Sequence, residues 1–182
     1  MAIRAVWLAV GASVLALAQW PQFRGPNGSG VVEEKNLPVD LGPSRNVVWR
    51  TALPPGHSSP VLARDRIFLT AVESERLWTI GLDRKTGSVL WKREAPRPRR
   101  EPMQQINSPA SPTPATDGES VFVFFGDFGL LAYDRDGAEL WSLPLGARQQ
   151  ITGLPPNRAD VILMGVAICE AVMEHFQAGE LR

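Results

Sequence analysis

The chain has 182 residues and balances 19 Lys+Arg against 19 Asp+Glu, so it carries no electrostatic footprint for nucleic acid or an anionic membrane. A hydrophobic fraction of 44% suits a globular chain, while Gly 16 and Pro 16 suit a turn-rich, all-β one. Cys169 is the one cysteine, which excludes an intrachain disulfide.

Met1–Ala18 reads as a secretory signal. Arg4 supplies the positive end, Ala5–Leu17 the apolar stretch, and Ala16-Leu17-Ala18 a small-x-small cleavage site that leaves a mature start near Gln19. The stretch is shorter than the ~20 residues of a spanning helix, so no stable membrane anchor is expected. Residues 19–45 form a Pro/Gly/Asn-rich irregular opening. Arg24–Gly30 superficially resembles a phosphate loop but lacks the Gly-Lys-Ser/Thr ending. Asn27-Gly28-Ser29 also matches a glycosylation sequon.

Strands are predicted at Val47–Leu53, Pro60–Ala63, Arg66–Ala71, Arg76–Leu82 and Ser88–Arg93, with a turn at Pro54–His57. Glu94–Pro112 is polar and proline-rich, and reads as a solvated loop. Its close-set Arg97, Arg99 and Arg100 would be a docking or processing site on the sharper reading. Val121–Phe125, the run VFVFF, is expected to be a strand buried on both faces. Leu130–Tyr133 and Ala138–Leu143 follow as strands. After the Gly153–Asn157 turn, Val161–Gln177 has near-helical apolar spacing at Val161, Met164, Ile168, Val172 and Phe176.

Two of these stretches repeat. Residues 58–91 and 110–141 each open on Ser-Pro (Ser59-Pro60, Ser111-Pro112) and run through a β-rich core. Each then turns at an Asp/Gly pair (Asp83 and Gly87, Asp134 and Gly137) and closes on Leu-Trp (Leu90-Trp91, Leu140-Trp141). Trp49 looks like the close of a still earlier unit. A period of roughly 40–50 residues built from short strands is the signature of a β-propeller or related array. The Asp and Gly positions fit hairpin turns, where Gly takes positive φ without steric cost.

The closing phrases GLDRKTGSVLW (81–91) and AYDRDGAELW (132–141) resemble the repeat of the pyrroloquinoline-quinone-type (PQQ-like) β-propellers. WPQFRGPNGSG at 20–30 resembles the segment that opens many secreted bacterial members of that family. The resemblance implies four-stranded antiparallel blades over 46–146, with Ser59–Ala63 lining a central channel and each closing Trp packed between neighbouring blades. The expected fold is thus all-β, a partial propeller, with a helical C-terminal segment in an atypical 147–182 tail. No cysteine stands near the cleavage point, so the chain is not expected to be lipid-anchored, unlike the propeller lipoprotein of outer-membrane assembly that shares the repeat. Closure takes typically 4–8 blades, and this chain supplies two full units and part of a third. A truncated or frame-shifted reading of a longer gene is therefore expected, the alternative being assembly with other chains.

Other constellations point to less. His57 with Ser58 or Ser59 lacks the elbow of a nucleophilic site, and turn duty is expected for them. Cys169, Glu170, Glu174 and His175 make a weak metal set. Asp83, Asp134 and Asp136 have hairpin spacing, not that of a calcium loop. Family oxidoreductases use an acidic base, calcium and in many cases adjacent cysteines, and this chain has no cysteine pair. No cofactor is therefore expected, PQQ being open only to a full-length homologue. The expectation is an exported, non-catalytic scaffold, periplasmic or extracellular, that binds protein or a small ligand and self-associates through an open sheet edge near Glu139–Leu143. The alternatives are the N-terminal fragment of a PQQ-dependent oxidoreductase, or a peripheral membrane protein resting on Val161–Ala171. Trp141→Ala is expected to cost ~3–5 kcal/mol, as a large-to-small core change does.

Overall fold

A computed structural model describes residues 19–33, 35 and 37–145. The leader expected at 1–18 and the helix expected in the tail, with Cys169, Glu170, Glu174 and His175, lie outside them. The described part is all-β apart from one short 3-10 turn at Pro26–Gly28. Its strands are β1 (Val61–Ala63), β2 (Arg66–Glu73), β3 (Arg76–Asp83), β4 (Val89–Ala95), β5 (Ala115–Thr116), β6 (Ser120–Phe125), β7 (Gly129–Asp134) and β8 (Glu139–Pro144). They form two four-stranded antiparallel sheets in simple sequential order, β1-β2-β3-β4 and β5-β6-β7-β8. Each is one propeller-type blade.

The blades match in detail. Strand β3 pairs with β4 so that Gly81 opposes Trp91, and β7 pairs with β8 so that Ala132 opposes Trp141. A register shift follows at Gly81/Leu82 in one blade and at Ala132/Tyr133 in the other. The small residue opposite Trp91 is a packing requirement. A Cβ added at Gly81 would stand 2.3 Å from the Trp91 ring. The inner strands β1 and β5 lie side by side.

The principal core is the seam between the blades. Val61, Phe68, Leu77 and Trp91 from the first meet Val121, Val123, Phe125, Leu131 and Tyr133 from the second, all buried. The period-2 alternation of a pleated strand directs these residues to one face. A second cluster of Ile67, Ala71, Ile80 and Leu82 occupies the other face of blade one, against Trp49 and Leu53.

Three expectations are corrected. Val47–Leu53 is not a strand, because no neighbouring strand lies beside it among the described residues; Val48 is 87% exposed. Residues 54–57 likewise form no turn. They run on as irregular chain, tied by Val72 N–H to the Pro55 carbonyl and His57 N–H to that of Ala110. Strand β6 is buried on one face only: Val121, Val123 and Phe125 enter the seam, while Phe122 and Phe124 on the opposite face are half-buried. The two-residue strand β5 had no sequence signal of its own, being too short to show a period.

Candidate interaction surface

The residues that define the repeat converge on the joint between successive units. Trp91 leaves β4 and lies between Phe68 (5.7 Å between ring centroids) and Tyr133 (5.9 Å). Its Nε1 donates to the Arg135 carbonyl at 3.0 Å, inside the next blade's Asp134–Gly137 turn. Two residues further on, Arg93 Nε donates to the Gly137 carbonyl at 2.6 Å. Gly137 (φ 83) lies so close under the ring that a Cβ there would meet Trp91 at 2.6 Å. Glycine is thus required twice over, by conformation and by space.

The same clasp occurs one unit earlier. Trp49 Nε1 donates to the Arg84 carbonyl at 3.0 Å, and Thr51 Oγ1 to the Gly87 carbonyl at 2.6 Å. Gly87 (φ 73) sits beneath Trp49 at 2.4 Å from its would-be Cβ. Trp49 thus meets the blade-one turn as Trp91 meets that of blade two, through side chains and without a strand ladder. The third position departs from the pattern. Trp141, expected to pack between blades, is half-buried among the described residues, and its ring meets Phe122 of its own blade at 6.1 Å. The residue two further on is Leu143, which has no side-chain donor.

The turns are built by their aspartates. Asp83 Oδ1 accepts from the backbone N–H of Lys85 (2.9 Å) and Thr86 (2.7 Å) and from the Thr86 hydroxyl (2.9 Å). These Thr86 bonds, helped by Lys85, hold its carboxyl below the usual value of 3.8. Asp134 Oδ1 accepts likewise from Asp136 N–H (3.0 Å) and Ala138 N–H (2.7 Å). Both carboxylates are engaged in turn geometry. Asp136, Arg66, Asp65 and Arg135 form an ion-pair chain across the blade boundary, with Arg135 reaching Asp65 at 2.6 Å.

Within the seam the Tyr133 phenol is pushed up to about 12, chiefly by burial and then by the charge of Glu139. Its hydroxyl lies beside Thr79 Oγ1, yet neither group meets a partner in full hydrogen-bond geometry. On the opposite face of blade one, Lys92 Nζ stands 4.0 Å from the Trp78 ring centroid and Arg76 4.8 Å, both in cation–π range. Glu94 bonds Arg76 and is held below its usual value by that guanidinium.

The 96–112 loop is exposed over most of 96–107 and is also pinned to the blades. Arg97 Nε donates to Asp127 Oδ2 at 2.6 Å and its Nη1 to the Glu75 carbonyl at 2.8 Å; Asp127 is 1% exposed. Glu101 N–H fills the other oxygen of Asp127 at 2.8 Å. Arg99 bonds the Gly126 carbonyl and pairs with Glu101, and Arg100 pairs with Glu75. The three arginines are thus neutralised within the blade rim. Between this loop and the β6–β7 hairpin runs an open groove of about 260 Å³, with Met103, Pro109, Pro112 and Phe124 as apolar lining and Asn107 and Ser108 as polar groups. Met103 and Ile106 are exposed on the same loop.

The remaining candidates have structural roles. Ser58 Oγ donates to the Thr70 carbonyl (3.2 Å) and accepts from its N–H (3.0 Å), while His57 is exposed. Ser59 N–H reaches Thr113 Oγ1 at 3.0 Å, Ser111 Oγ accepts from Ser108 N–H at 3.0 Å, and the Pro112 carbonyl accepts from Thr70 Oγ1 at 3.2 Å. Pro60 precedes β1 and is exposed. Among the described residues no three of His, Cys, Asp and Glu gather around a point that could hold a metal. No helix among them is long and apolar enough to cross a membrane. The sequence reading missed the Arg97–Asp127 pin and the clasp donors Thr51 and Arg93. A polar residue two after Trp in WRT and WKR was the available signal for the second.

Two sequential antiparallel blades, joined Trp-onto-turn, define a PQQ-type repeat protein. Residues 31–161 match the family model described as outer membrane protein assembly factor BamB, and the chain belongs to that PQQ-repeat family. A search of curated proteins finds no significant match.

Proposed function

We propose that the chain is an exported, non-catalytic scaffold that holds protein partners in the cell envelope on the loop rims of its blades. The supporting observation is how its repeat residues are used. The carboxylates of Asp83 and Asp134 are spent on turns, and Trp49 and Trp91 on clasps. The surface left for recognition is then the rim, where the pinned 96–112 loop presents Met103 and Ile106 beside a preformed groove. A groove on a rigid rim loses little entropy on binding. The family match, to an outer membrane assembly factor, favours the same setting.

The test is expression of the whole chain with its own leader, followed by fractionation and in-cell photocrosslinking from position 103, which is exposed on the same loop. We expect a mature N-terminus at or near Gln19, an envelope location, and adducts to an envelope protein that disappear with Ile106→Asp. Intact Met1 in a cytosolic fraction would count against export. Crosslinks insensitive to the rim substitution would count against this binding face. The second reading, a fragment of a quinoprotein oxidoreductase, rests on the shared repeat type. It requires the purified chain to oxidise alcohols or sugars with PQQ and calcium, and no turnover is expected.

A further inference from the structure

The opening segment WPQFRGPNGSG has so far had no role, and its bonds give it one. It folds on itself. Gly25 N–H bonds the Gln22 carbonyl (2.9 Å), Gly28 N–H that of Gly25 (3.0 Å) and Gly30 N–H that of Arg24 (2.7 Å). Gly25 (φ 68) is buried under the Trp20 ring, where a Cβ would stand 2.5 Å from the ring carbons. Arg24 folds back to the Ser29 carbonyl at 3.3 Å. The indole thus rests on a knot made by its own neighbours, and its backbone is presented outward in a set orientation.

That backbone meets both blades. Trp20 N–H donates to the Leu62 carbonyl (2.9 Å) and the Trp20 carbonyl accepts from Leu62 N–H (2.8 Å). The next residue's carbonyl, Pro21 O, accepts from Thr116 N–H at 2.8 Å. Leu62 lies on β1 and Thr116 on β5, the innermost strands of successive blades. Both would otherwise present a free pairing edge, a template for any extended chain. Pro21 suits this position because it places no N–H where none is needed.

We propose that residues 20–30 are a strap that closes the inner edges of both blades at once, its seating set by Trp20 on Gly25. The proposal rests on this geometry alone and is independent of where the chain is located. Amide exchange on the full chain tests it, with Trp20→Ala removing the ring and Gly25→Ala forcing it off its seat. The Leu62 and Thr116 amides should lose protection together, by about tenfold or more, while amides of β2, β3, β6 and β7 keep theirs. Gly28→Asn, at a position with open space around it and a residue type that tolerates positive φ, should change neither. Unchanged protection at either amide in both variants, or loss at Leu62 alone, would overturn the strap. If one variant unfolds throughout, the other decides; general loss in both also overturns it, since releasing a strap leaves the blades folded.

Discussion

Trp91 and Trp141 occupy the same place in the repeat and should differ in energy. Trp91 is 7% exposed, packed at a tilt against two rings and hydrogen-bonded into the next turn. Trp91→Ala should destabilise the chain by about 3–5 kcal/mol, and Trp91→Phe by about 1–3 kcal/mol because it leaves the Arg135 carbonyl without its donor. Half-buried Trp141 should lose less on truncation to Ala, about 1–2 kcal/mol, which lowers the figure its place in the repeat suggests. Denaturant titration of the variants ranks them; equal losses would mean that the clasp adds nothing. Tyr133 gives a pH readout, because it is the one tyrosine. Its folded value of about 12 exceeds the ordinary 10.0, so the unfolded chain releases this proton first. The contribution is fully present below pH 10 and is lost as pH rises toward about 12, with a limiting slope of ~1.4 kcal/mol per pH unit. Tyrosinate absorbance should therefore appear together with unfolding, whereas titration at the ordinary value in the folded chain would contradict the buried seam.

At the scale of elements, the turns and the rim loop depend on carboxylates in opposite surroundings. Asp83 is held below 3.8 by Thr86 and Lys85, so the unfolded chain takes up its proton first on acidification. Its contribution is present above that value and is lost as pH falls through and below it. Thermal melts should show the wild type losing more stability than Asp83→Asn as the pH is lowered through the carboxylate range. Asp127 is instead buried, and its partner is Arg97. Arg97→Met keeps the length of the side chain but strands that carboxylate, at a cost of about 3–5 kcal/mol. The double variant Arg97→Met/Asp127→Asn should recover part of this. Failure to recover would mean that the loop is held by something other than the pair.

For the whole molecule, the unit of construction is the joint, not the blade. A blade alone leaves both faces of a thin sheet in water, and the seam buries one face of each. Among the described residues strand β8 ends its sheet, and Leu140 on it is 51% exposed. An unpaired, partly apolar edge templates further pairing. The purified chain should therefore associate with rising concentration, and Leu140→Lys should reduce this. Light scattering that shows a monomer at all concentrations would remove the edge as an association site.

How much of this was legible beforehand follows from the range of each interaction. The strands after Ser59, the Asp/Gly turns and the propeller class came from period-2 patterning and turn chemistry, which act over a few residues and repeat at a fixed spacing. Gly87 and Gly137 could be assigned to turns, because positive φ is a local demand. Their second duty, making room for Trp49 and Trp91, could not be read, since it depends on a residue of the preceding unit. Val47–Leu53 carried the pattern of a strand without the neighbour that makes one, because a ladder needs two chains and propensity describes only one. Phe122 and Phe124 looked as buried as Val121 and Val123, because an apolar run does not say which face has a partner. The Arg97–Asp127 pin spans 30 residues and joins a loop to a hairpin with no periodic signal in either. Local chemistry therefore determined the elements and their order, while the tertiary structure alone decided which faces meet, because those contacts join residues that no short-range rule connects.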